Sequence, residues 1–184
     1  MVTAVVPTQK AKEGQTVRVT PLQEVVETIR EDALILAQDR LTDAMRGLDL
    51  KHLFRRPDFV DNFKYGLAAG VAMALSDNDP HVEAVYTYEP SANPDSELGN
   101  DIPVDATVHL LVKVQASSAA LVAFIAALDR ALTAELKNLP SPKLAQRESV
   151  LDVNLITEKD IEEGRGYAVI LSSVFAPPLK VWQR

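Results

Sequence analysis

The chain has 184 residues, of which 47% are hydrophobic and 24% charged, and 19 Lys and Arg stand against 26 Asp and Glu for a formal net charge of −7. That length suits one domain with a sizeable apolar core, and the acidic balance disfavours non-specific binding to nucleic acid or anionic membrane. The absence of cysteine excludes disulfides, a thiolate nucleophile and Cys-based zinc or iron–sulfur sites; it fits a reducing compartment, so the expected location is the cytoplasm.

Met1 to Thr20 has no apolar core of signal-peptide length, and no later apolar run reaches the roughly 20 residues that span a bilayer. A secreted or membrane-spanning protein is therefore not expected. Lys10, Lys12, Glu13, Gly14 and Arg18 follow no apolar period, so residues 1–20 read as a flexible arm, and residues 21–184 as a single α/β domain. Helical spacing of apolar residues from Pro21 to Leu48 predicts a long amphipathic helix, with Pro21 suited to its first turn. A basic connector (Lys51, His52, Arg55, Arg56) leads to a second helical stripe, Phe59, Phe63, Leu67, Val71 and Leu75, which breaks at Asp77–Pro80.

Residues 82–88 predict a core strand with Val82, Ala84, Tyr86 and Tyr88 on one face. Residues 89–103 hold three prolines and a glycine, and predict a loop bearing Glu89, Asp95, Glu97 and Asp101. Residues 105–115 alternate again, placing Ala106, Val108, Leu110, Val112 and Val114 on one face and Asp105, Thr107, His109 and Lys113 on the other. Ser117 or Ser118 caps a helix with the stripe Leu121, Phe124, Ile125, Leu128, Leu132 and Leu136. A strand over 149–156 puts Val150, Asp152 and Asn154 on one side, and Thr157 to Asp160 has the pattern of a short helix cap. The chain closes with a helix stopped by Pro177–Pro178 and an edge strand carrying Lys180, Val181 and Trp182. The predicted fold is α/β (α+β): a small mixed sheet of about four strands with packed helices, preceded by a long N-terminal helix.

This order of elements resembles the nucleotidyltransferase superfamily over about residues 58–184, closest in shape to its minimal, antitoxin-like form. VYTYEPSA (85–92) lines up with the family's strand and Gly-Ser turn, VDATVHLLV (104–112) with the strand bearing the Asp-x-Asp pair, and VLDVNLI (150–156) with the strand bearing the third carboxylate. The resemblance implies attack of a hydroxyl on a nucleotide α-phosphate, assisted by two Mg²⁺ ions on three strand carboxylates. Here Asp105 and Asp152 match acid positions, but Thr107 stands at the second, and a neutral hydroxyl cannot replace a carboxylate's charge. Glu89 and Pro90 stand where the phosphate-cradling turn belongs. Glutamate adds negative charge there, and proline removes an N–H donor.

These departures predict a protein that has lost catalysis and acts in binding, structure or interaction, with no cofactor expected and a homo-oligomer or another protein as its partner. The alternative is a divergent Mg²⁺-dependent nucleotidyltransferase transferring a nucleoside monophosphate, with Asp105 and Asp152 as metal ligands and Glu89 supplying the third. A third expectation, from the minimal form of the family, is an antitoxin-like partner of a helical toxin. His109 shares a strand face with Asp105 and Thr107, where it serves either as a base or ligand or as a structural residue. His52 and His81 sit in different connectors with no metal-ligand spacing. Lys51, Arg55 and Arg56 read as a solvated surface, and the first helix as packing inside the molecule or against a second copy.

Overall fold

The computed structural model describes residues 5–7, 19–89, 107–174 and 176–184. Asp105 and the loop acids Asp95, Glu97 and Asp101 lie outside the described residues. Strands β1 (Val5–Pro7) and β2 (Val19–Pro21) pair antiparallel within and just after the stretch expected to be an arm. Helix α1 (Leu22–Asp39) follows directly, with Pro21 as its N-cap residue instead of a residue of its first turn. Its buried residues, Val26, Ile29, Ala33 and Ala37, recur every three or four positions, so one stripe faces inward.

The first helix is shorter than its apolar period predicts. It ends at Asp39, and Thr42 takes extended backbone before a 3₁₀ turn (Asp43–Met45) and the short helix α2 (Leu50–Leu53). β-branched Thr42 and the following Asp43 are both weak helix formers, while Leu41 remains buried in the turn itself. Periodicity alone could not separate a continued stripe from a chain that folds back over the same core. Asp49 caps α2 by accepting a hydrogen bond from the His52 N–H, which puts Lys51 and His52 in a helix instead of a connector.

Helix α3 (Pro57–Asn78) starts with proline at its first turn and is buried on most of its circumference. It lies between α1 and a four-stranded sheet of β3 (Val82–Thr87), β4 (Val108–Val114), β5 (Leu151–Ile156) and β6 (Leu179–Gln183). The strand order is β5-β4-β3-β6; β3 is antiparallel to both β4 and β6, and β4 is parallel to β5. The parallel pair needs a crossover, which α4 (Ala119–Leu136) supplies. Ser118 caps α4 by accepting from the Leu121 N–H at 3.0 Å. Two short helices, α5 (Pro142–Ala145) and α6 (Glu158–Glu163), precede and follow β5. Thr157 and Asp160 form the capping box of α6 expected from their spacing.

One face of the sheet carries the main core: Val82, Val85, Val108, Leu110, Val112 and Val114 join the buried stripes of α1, α3 and α4. The first helix packs against α3 and α4, on the helical side of the molecule. The opposite face holds a second, smaller cluster of Tyr88, Leu111, Ile156 and Ala168. Two expected facings change. A register shift between Val82 and Ala84 flips the phase of β3, so Val82 enters the main core while Tyr86 and Tyr88 turn to the other face. Val150 precedes β5 and is buried in the main core, apart from Asp152. The closing helix is 3₁₀ (Gly166–Ser172), entered through left-handed Gly164 and Gly166, with φ of 59° and 52°. These two positions favour glycine and stop α6 before it could continue.

Candidate functional site

Alternation along β4 and β5 points His109 and Asp152 away from the helices, and the parallel register places the two residues directly side by side. The His109 Nδ1 and an Asp152 carboxylate oxygen are 2.8 Å apart. The second Asp152 oxygen accepts from the Asn154 amide at 3.3 Å, and the same amide reaches the Tyr88 hydroxyl at 3.3 Å. Tyr88 follows the end of β3, and its backbone N–H extends the ladder by donating to the His109 carbonyl at 3.2 Å. Its ring stands 5.5 Å from the His109 ring and 6.5 Å from that of Tyr167 in the 3₁₀ segment.

Tyr88, His109 and Asp152 form one side of a cavity of about 560 Å³, with Asn154 behind them; the 3₁₀ segment and the residues after it, including Tyr167, Val169, Ile170 and Ser173, form the other. That volume is typical of small-molecule sites, which are mostly apolar with a few placed polar groups. Burial comes first among the causes that push the Tyr88 hydroxyl up to about 12, followed by the negative charge of Asp152 and by Tyr167. The hydroxyl is thus held protonated and acts as a donor at any ordinary pH. The Asp152 side chain is 44% exposed against 11% for His109, so the carboxylate is what the floor of the cavity presents to solvent.

Glu89 also lines the cavity, at the end of β3, and its carboxylate meets the Lys64 ammonium of α3 at 2.7 Å. Further along the same sheet face, Lys113 of β4 bridges Glu83 of β3, at 3.1 Å, and Glu158 of α6. The Glu158 bond, ahead of the Glu83 bond, raises the Lys113 pKa. This pairing ties the first turn of α6 to the sheet beside the cavity.

Of the residues singled out by sequence, Glu89, His109 and Asp152 come together around one cavity. Thr107 lies two residues before His109 on the approach to β4, and Asp105 is outside the described residues. His52 bonds Asp49, the N-cap of its own helix α2, and His81 bonds Asp79 in the turn before β3. Lys51 and Arg55 are exposed and Arg56 pairs with nearby Asp58, consistent with a solvated surface. Among the described residues, no group of three or more His, Asp or Glu side chains is placed to hold a metal ion, and no helix is long and apolar enough to cross a membrane. Sequence reasoning missed Tyr88, Asn154 and Tyr167 as site residues. The available signal was the run of polar residues on the second face of β4 and β5, but the strand order that joins them is not written in either strand. Comparison with known protein families, curated proteins and solved structures found no match to this chain.

Proposed function

We propose that this chain is a small-molecule binding protein built on a nucleotidyltransferase-like frame from which transfer chemistry has been lost. The observation that carries this reading is the cavity over the open sheet face, with Asp152 held by His109 on its floor and Glu89 held by Lys64 at its side. Of the three carboxylates that the transferase alternative would assign to Mg²⁺, Glu89 is already engaged by the Lys64 ammonium, and Thr107 offers no charge in place of the missing acid. A fixed carboxylate, a protonated tyrosine hydroxyl and apolar walls instead supply orientation and shape, the two needs of a binding pocket.

One observation favours the second reading, a divergent Mg²⁺-dependent nucleotidyltransferase: Glu89 and Asp152 line the same cavity. In that case the two carboxylates would act with Asp105 on the metal. Isothermal titration with a non-hydrolysable ATP analogue and Mg²⁺ separates the two. With Glu89 and Pro90 where a phosphate-cradling turn belongs, the first reading predicts no saturation at millimolar nucleotide. Saturable binding near micromolar affinity, about −8 kcal/mol, that disappears in Asp152→Asn, together with release of pyrophosphate from ATP itself, would overturn it in favour of the enzyme.

A further inference from the structure

Resting on the reading of the cavity as a binding site, we propose that its ligand is a small organic cation, an ammonium or guanidinium head on an apolar body, with the head seated on Asp152 between the tyrosines. Three features of the wall converge on this class. The Asp152 carboxylate is oriented from behind by His109 and Asn154, yet its side chain remains 44% exposed on the cavity side. An ionised carboxylate is an acceptor with about four lone-pair sites, so the bonds from His109, Asn154 and the Tyr88 hydroxyl still leave a place for a ligand's N–H donor. A neutral ligand covering this carboxylate would strip its water without returning a charge partner, and an anion would be repelled.

The tyrosines add to the same preference. Tyr88 and Tyr167 stand with ring centroids 6.5 Å apart and tilted by 46°, and both line the cavity. Aromatic faces attract cations through the ring quadrupole, most strongly where water is displaced. No Lys or Arg is among the described residues lining the cavity. Two carboxylates line the cavity, Glu89 and Asp152; the first is engaged by the Lys64 ammonium at 2.7 Å, and the second is the one offered to a ligand. The remaining wall, Val169, Ile170 and Ala176, suits the apolar body of such a ligand.

Three probes of matched shape test the class: phenethylamine, 2-phenylethanol and phenylacetate, titrated at up to millimolar concentration and followed by NMR of the cavity residues. The amine is expected to bind about tenfold or more tightly than the alcohol, as a charge-assisted hydrogen bond implies, and phenylacetate to be the weakest. Asp152→Asn should bring the amine to the affinity of the alcohol while leaving the alcohol unchanged. Tyr167→Ala, at a half-exposed position, should weaken the amine more than the alcohol and guards against a folding defect in the first variant. Alcohol or carboxylate binding as tightly as the amine would overturn the cationic class and leave the cavity a binding site. Failure of all three probes to shift any cavity residue would overturn both.

Discussion

Tyr88 holds its proton because its hydroxyl is buried beside a carboxylate, and that makes the site visible to titration. Its pKa rises from 10.0 to about 12, with burial the first cause and Asp152 the second. A raised pKa means that the folded state binds the proton more tightly than the unfolded state. The stabilisation is therefore complete below pH 10, and is lost as pH rises from 10 toward 12. Ultraviolet or NMR titration should find one tyrosine ionising near 12, and Tyr88→Phe should remove both that step and part of the stability loss across the interval. A Tyr88 that ionises with an ordinary tyrosine pKa would mean that the hydroxyl is solvated and the floor of the cavity is looser than described. Around it, Asp152 has the opposite character: it is anchored by His109 at 2.8 Å but still exposed. A buried donor and an exposed, fixed acceptor in one cavity are what give the pocket chemical selectivity.

At the scale of elements, α1 and α3 cross in close contact. A Cβ placed on Gly66 would lie 2.6 Å from the Cα of Ala33, and one on Gly70 would lie 3.0 Å from the Ile29 side chain. The first clash is with backbone, so the helices themselves must move apart. Gly66→Ala should destabilise the fold by about 2 kcal/mol, despite alanine's better helix propensity; calorimetry showing no loss would mean that α1 does not sit against α3 as described. Elements of this kind were legible in the sequence where the pattern was strong and the ends were marked. The stripe from Phe59 to Leu75 and the stripe from Leu121 to Leu136 became α3 and α4, with Pro57 and Ser118 at their starts, and the alternation of Val108, Leu110, Val112 and Val114 became the core face of β4. Three features were illegible for physical reasons. The bend after Asp39 keeps its apolar residues on the same core, so a helical period persists without a helix. The register shift in β3 changes the facing of Val82 without changing the composition of the strand. The closing helix is 3₁₀ and is entered through Gly164 and Gly166, whose left-handed backbone no apolar period marks.

Viewed as a whole molecule, the chain divides its sheet between two tasks. One face is committed to a core shared with three helices, and the other carries a small apolar cluster, a band of charged pairs and the cavity. The candidate site was legible residue by residue but not as an assembly: Glu89, His109 and Asp152 were each visible as polar groups on or beside strands, yet their meeting depends on the order β5-β4-β3-β6 and on the His109–Asp152 register. Tyr167 reaches the site from the far side of α6, more than ten residues beyond β5 in sequence, so no local pattern connects it with the others. The central claim is that this cavity binds a small molecule. It is tested most directly by screening a fragment library against the isotope-labelled protein and mapping the amide shifts onto the chain. The prediction is that the fragments that bind shift Tyr88, His109, Asp152 and Ile170 together, residues from β4, β5, the end of β3 and the 3₁₀ segment. A library that shifts none of them, or binders that cluster on another surface while these four stay still, would contradict it.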